Sequence, residues 1–244
     1  MTTNHDYLIQ GFGYLTHKGL KRFVFIPVFI NFILFILLFA LGMHYFAGFT
    51  HWINHITPHW LHWLDWILWP IFFLTSAIIL LYMFTLIANV IAAPFNSFLS
   101  EKVEILMTGN RPDTPEGIWA GIKDLPRVLG REILKIRYYL PRLALLGLIY
   151  FIPGLNVIAP IAWFIFGCWM MAVQYVDYPM DNHRVEFEKM YRSMRKQPIK
   201  YWLFGASVTL AMMIPIVNLF VMPASVIGAT LMYINDNKSK QIPL

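Results

Sequence analysis

The sequence predicts an all-α integral membrane protein, and three observations carry that expectation. Hydrophobic residues make up 58% of the 244 positions and charged residues 13%, with a mean hydropathy of +0.57, too little polar material to cover a surface facing water. Apolar runs long enough to cross a bilayer follow a basic cluster, Lys18, Lys21 and Arg22. The 19 Lys and Arg residues can all be placed on one side of the membrane, as the positive-inside rule favours. The expected architecture is one membrane domain over residues 1–244. It holds two long transmembrane helices, a cytoplasmic amphipathic helical region and two re-entrant, half-penetrating helical hairpins.

The first expected span, Phe23–Phe46, would extend ~36 Å as a helix, more than the ~30 Å hydrocarbon core. It is too long for the apolar core of a cleaved signal peptide, so it is expected to stay in the membrane. Trp66–Phe95 is the second span. Between them, residues 47–65 contain no Lys or Arg. They carry His51, His55, His59 and His62 with Trp52, Trp60 and Trp63, which reads as an external loop with rings at the headgroup level. Both chain ends are then cytoplasmic. His51 and His55, then His55 and His59, also have the i,i+4 spacing that can chelate a metal on a helix. An interfacial aromatic belt is the favoured alternative, and no metal is expected.

Residues 96–142 are expected to be a cytoplasmic helical region. Ile118, Ile122, Leu125, Leu129, Ile133, Ile136 and Leu140 recur at helical spacing, while Lys123, Arg127, Arg131 and Lys135 form a basic stripe at four-residue steps. The stripe suits either anionic lipid headgroups or the lining of an anion path.

The apolar regions 143–172 and 201–234 are each interrupted. The first contains Ile152-Pro153-Gly154-Leu155-Asn156 and Pro160; the second contains Ile214-Pro215-Ile216-Val217-Asn218 and Pro223. Proline lacks a backbone donor and restricts the residue before it, so each helix should stop there, leaving arms of roughly 10–16 residues, mostly short of a crossing. A single crossing at 143–172 would export Arg184, Lys189, Arg192, Arg195, Lys196 and Lys200. A hairpin keeps them inside, and both regions are read as re-entrant. Non-helical backbone at that depth must be buried in protein or line a wet cavity.

No Gly-rich nucleotide cradle, His-Glu-x-x-His or Gly-x-Ser-x-Gly motif occurs, so neither an enzyme nor a cofactor is expected. Cys168 stands alone and cannot form an internal disulfide. The positive charge is read as topology signal and anion handling, with membrane lipid and no nucleic acid as partner. Gly19-Leu20-Lys21-Arg22, followed by Pro27 and Asn31, opens the first membrane helix. Free amides, the positive end of the helix dipole and two cations can together hold a tetrahedral oxyanion. Orientation alone is the competing explanation for such juxtamembrane cations.

That cluster, the stretch Ala93-Pro94-Phe95-Asn96 leading to Glu101, Lys102 and Glu104, and the two proline breaks resemble the CysZ family of bacterial sulfate-uptake membrane proteins. The resemblance covers nearly the whole chain. It implies sulfate transport, as channel or permease, across the bacterial inner membrane for cysteine biosynthesis, in a homo-oligomer partly built from half-penetrating helices. Sulfate, sulfite or another tetrahedral oxyanion is then the substrate. The expected sulfate site is Gly19, Leu20, Lys21 and Arg22. Asn31, Asn96, Glu101, Lys102, Glu104, Arg127 and Arg131 are expected along the path, with Glu101 and Glu104 near Lys102 as gating ion pairs. The rival readings are a membrane scaffold or regulator without transport, and a metalloprotein built on the external histidines.

Overall fold

The computed structural model describes residues 7–56, 65–112 and 117–241. Every regular element among them is a helix. In chain order these are α1 (Tyr7–Tyr14), α2 (Lys21–Ile56), α3 (Asp65–Thr108), α4 (Gly117–Ile149), α5 (Ala159–Asn182), α6 (Phe187–Met194), α7 (Pro198–Met212) and α8 (Pro215–Gln241). They form two compact units, one of Met1–Val24 with Ala93–Leu244 and one of Phe25–Ala92.

The Phe25–Ala92 unit is built from the apolar stretches of α2 and α3. Leu80 packs where a Cβ at Gly42 would stand only 2.5 Å from its Cδ1, and Phe35 meets Phe84 edge-on at 5.6 Å. Phe29, Phe32, Ile36, Phe39, Phe73 and Ile78 are exposed, a surface that suits lipid and not water. Residues 57–64 of the expected external loop lie outside the described residues, as do the side chains of His51 and His55.

The larger unit owes its core to very close helix approaches. A Cβ at Gly11 of α1 would stand 2.0 Å from the carbonyl oxygen of Ala224 on α8, and one at Gly228 of α8 would stand 2.5 Å from that of Tyr7. Between α7 and α5, a Cβ at Gly205 would stand 1.8 Å from the carbonyl oxygen of Cys168. Small residues of this kind let backbones touch where apolar solvent gives helices no hydrophobic reason to associate.

Both expected breaks are present. At the first, Leu155 N–H donates to the Ile152 carbonyl at 3.1 Å, and Gly154 has φ 88°; proline then glycine at the turn's centre suits that geometry. At the second, α7 ends at Met212 and Pro215 opens α8. The tips are strongly exposed and apolar, with Phe151 84%, Val157 76% and Ile216 79% accessible.

Three expectations are corrected. α3 runs without a break past Phe95 to Thr108, so the second helix extends well into the region expected to be separate. α4 runs through residue 142 to Ile149, with Pro126 and Pro141 inside it. The short-arm expectation fits α7, with 15 residues, but α5 has 24 and α8 has 27. Lys21–Tyr45, Ala159–Asn182 and Pro215–Lys238 are each long and apolar enough to cross a membrane. The extra length of α5 comes from its polar end, which is buried: Asp177, Asp181 and Asn182 find partners inside the unit. Its exposed large apolar side chains, Ile161, Trp163, Phe164 and Ile165, are confined to the half next to the tip.

Candidate functional site

The start of α2 is held from below by three buried apolar side chains, Leu15, Leu20 and Val24. Leu20 is thus an anchor of the turn, while Gly19, Lys21 and Arg22 face outward. The amides expected to be open are donated within the turn. Gly19 N–H reaches His17 Nδ1 at 3.4 Å, and the N–H groups of Leu20 and Lys21 share the His17 carbonyl at 2.9 and 3.1 Å. The tight entry into the helix forces this, because the carbonyl of His17 lies directly under the first turn. The two side chains remain open. Arg22 leans over the Phe23 ring at 5.3 Å, and among the described residues neither Lys21 nor Arg22 pairs with a carboxylate. A Cβ at Gly19 would meet nothing closer than His17 Nδ1 at 3.9 Å, so the space beside the glycine is free.

The basic stripe of α4 has the opposite character. Arg127, Arg131 and Lys135 face Asp177 and Asp181, which share their four-residue step on α5. Arg131 Nε donates to Asp177 Oδ1 at 2.7 Å, and Lys135 Nζ stands 3.2 Å from Asp177 Oδ2 and 2.6 Å from Glu132. Arg127 holds both Asp124, at 2.7 Å, and Asp181, while Arg184 reaches Asp124 at 3.2 Å. The cations Arg127, Arg131, Lys135 and Arg184 therefore meet an equal number of carboxylates, Asp124, Glu132, Asp177 and Asp181. Burial pushes the Lys135 ammonium pKa down, but Asp177, Tyr178 and Glu132 more than reverse this and leave it above the usual lysine value. The hydrogen bond from Arg127 holds the Asp124 carboxyl below its ordinary value. Arg127, Arg131 and Lys135 thus form a neutralised ladder, with Arg131 and Lys135 buried, while Lys123 at the start of the stripe is exposed.

Along α3, Asn96, Ser100, Glu101 and Glu104 are buried and Ser97 partly so. They form a polar seam whose partners come mostly from α5 and α8. Asn96 Nδ2 donates to Tyr178 at 3.2 Å, Ser97 donates to Asn182 Oδ1 at 2.6 Å, and the hydroxyls of Ser100 and Thr230 lie 2.9 Å apart. Glu101 and Glu104, expected beside Lys102, instead pair with Arg111 at 3.0 Å and with His183 at 2.7 Å. Lys102 itself is partly buried. Asn31 belongs to the Phe25–Ala92 unit, and its Oδ1 is buried without a hydrogen-bond partner. Among the described residues no cluster of three or more metal-ligating side chains occurs.

The family model described as "Sulfate transporter CysZ/Etoposide-induced protein 2.4" matches residues 7–223. The chain belongs to this CysZ family. It is 42% identical over 241 residues to a protein named sulfate transporter CysZ from Pseudomonas paraeruginosa, covering 97% of this chain and 96% of that one. It is also 42% identical over 242 residues to the Salmonella typhimurium protein of that name, covering 96% and 92%. To the one from Pseudomonas syringae pv. tomato it is 40% identical over 243 residues, covering 99% and 96%.

In this CysZ-family chain, sequence reasoning missed Asp177, Asp181 and His183. The signal was present, since Asp177 and Asp181 repeat the four-residue step of the α4 stripe. It went unread because both sit at the end of an apolar run. His183 follows them in the turn that closes α5, and only the fold brings it to Glu104.

Proposed function

We propose that this CysZ-family protein transports sulfate across the bacterial inner membrane and supplies it for cysteine synthesis. The observation that carries this reading is a contrast between two basic clusters. The α4 ladder cations meet an equal number of carboxylates, whereas Lys21 and Arg22 are exposed at the start of an apolar helix and, among the described residues, pair with no carboxylate. Arg22 can give a tetrahedral oxyanion two parallel hydrogen bonds, with Lys21 adding a point charge. Because the amides of Gly19, Leu20 and Lys21 are turned inward, the side chains dominate the first encounter.

The exposed apolar tips support half-penetrating hairpins at 143–172 and 201–234, both entering from the side that carries the Lys and Arg residues. Polar backbone at such a tip needs protein or a wet cavity around it, which supports assembly of several copies. The α3 seam, with Asn96, Glu101, Lys102 and Glu104, and the ladder with Arg127 and Arg131 would lie along or beside the path as ion pairs that open. Entry of a dianion against ~100 mV, interior negative, costs about 4.6 kcal/mol. Consumption of sulfate inside the cell or movement of a compensating charge must offset that.

Calorimetric titration of the purified protein with sulfate tests the site. Charge-assisted hydrogen bonds contribute roughly 1.5–3 kcal/mol, so Arg22→Ala should weaken binding about ten- to more than a hundred-fold, and Lys21→Ala less. Gly19→Val fills the free space beside the cations without changing charge and should also weaken it. Unchanged affinity in both Arg22→Ala and Gly19→Val would put the site elsewhere.

A further inference from the structure

Arg142 is the last charged residue of α4, and no Asp, Glu, Lys or Arg follows it until Asp177. Leu145, one turn further on, is exposed and apolar. On α5 the same change of character falls at Trp169. Exposed Ile165 lies one turn toward the tip, and buried Ala172 and Val173 lie on the other side. The two helices meet at this level, where Trp169 Nε1–H donates to the Tyr138 hydroxyl at 3.3 Å. An indole, a phenol and an arginine at the edge of an apolar surface mark the depth of lipid headgroups.

α6 completes the group. The Tyr191 ring lies 4.8 Å from that of Tyr138 and 6.1 Å from that of Trp169, with Phe187 6.0 Å from Tyr138. Two exposed guanidiniums stack on these rings. Arg142 stands 3.8 Å from the centre of Tyr138, and Arg195, in the turn after α6, stands 6.0 Å from the centre of Tyr191. Stacking engages the face of a guanidinium and leaves its N–H edge for an acceptor in its plane. Arg142 gives one N–H to the Tyr138 carbonyl at 2.6 Å. Among the described residues neither arginine pairs with a carboxylate. Glu186 and Glu188, which flank Phe187, are held by Lys189 and Arg192.

A membrane protein touches lipid along every apolar face. What distinguishes this place is a pair of arginines already oriented on aromatic rings, with no anion of the protein's own. An acidic peptide or a free anion would satisfy the guanidiniums and leave Leu145 and Ile165 uncovered. A phosphodiester that carries acyl chains meets both surfaces. We propose that Arg142 and Arg195, held on the Tyr138–Tyr191 pair, bind the headgroup phosphate of an anionic phospholipid whose chains lie along Leu145 and Ile165. The site uses none of the residues assigned to sulfate.

The full-length protein in neutral detergent is titrated with dioctanoyl phosphatidylglycerol and, separately, with dioctanoyl phosphatidylcholine, and native mass spectrometry counts the bound lipid. The wild type should prefer phosphatidylglycerol. A basic side chain near an anionic headgroup layer contributes about fivefold in affinity. Arg142→Gln and Arg195→Gln should therefore each weaken phosphatidylglycerol binding about fivefold, and together about twenty-five-fold, with phosphatidylcholine unchanged. Arg192→Gln, whose cation Glu188 already engages, should bind like the wild type. Equal binding of the two lipids by the wild type, or an unchanged preference in the double variant, overturns the proposal. Displacement of the lipid by glycerol phosphate or sulfate at comparable concentrations also overturns it and makes this a site for a free anion. If the wild type shows no preference and the double variant loses self-association, the patch belongs to a second copy and the lipid site falls. Thermal melts check folding; should the double variant melt early, Arg195→Gln alone decides, and an unchanged preference there sinks the proposal.

Discussion

Asp177→Asn is a sharp test of the α4–α5 ladder, because one carboxylate serves two buried cations. Its Oδ1 accepts from Arg131 at 2.7 Å and its Oδ2 lies 3.2 Å from Lys135, with relative exposures of 3% for Asp177, 9% for Arg131 and 1% for Lys135. The amide keeps the shape and removes the charge, leaving the cluster with one excess cation. Removing one partner from a buried ion pair costs about 3–5 kcal/mol. For a chain of this length that corresponds to a melting temperature lower by roughly 6–20 °C. The assay is thermal unfolding in detergent, run with Lys135→Met and with the double variant. Lys135→Met restores charge balance, so the double variant should recover part of the loss, with a coupling of about 0.5–3 kcal/mol. A melting temperature for Asp177→Asn within about 1 °C of wild type, or a coupling of zero, would refute the ladder's role in stability.

Gly205→Ala would place a Cβ 1.8 Å from the Cys168 carbonyl oxygen, forcing α5 and α7 apart; thermal melts should show a loss of about 1–3 kcal/mol. Gly167→Ala, with nothing within 4 Å, should melt near wild type, and equal behaviour of the two variants would contradict the close approach. The proposed topology is checked with single cysteines at Thr57, Thr114 and Ser193 in a chain whose Cys168 is replaced, treated in intact cells with an impermeant maleimide. Only position 57 should react, and labelling of position 193 from outside would overturn the hairpin at 143–172.

The helical class, the long apolar helices α2 and α3 and both interruptions were legible because each rests on local chemistry. Apolar runs need lipid or a core; α4 stops short of Pro153 and Pro215 opens α8, whereas Pro126, Pro141 and Pro223 stand inside helices. What escaped depends on partners distant in sequence. Asn96, Ser97, Ser100 and Glu104 read as the start of a polar region, yet Tyr178, Asn182, Thr230 and His183 satisfy them inside the fold, and α3 continues to Thr108. The α4 stripe was read as facing lipid headgroups or an anion path because Asp177 and Asp181 lie about fifty residues on. At the start of α2 the cations were legible, but the inward turn of the amides was not, since it depends on the His17 carbonyl.

The separation of 46 residues between Arg131 and Asp177 has a consequence for how the protein is made. At ~5–20 residues per second, the ribosome releases the cations of α4 roughly 2–9 s before the carboxylate that neutralises them. During that interval α4 cannot settle into a dry environment, and its charges must stay wet or rest on anionic headgroups. Close packing of α4 therefore waits for α5. The ladder thereby sets an order of maturation: α4 can bury Arg131 and Lys135 only once Asp177 has been made.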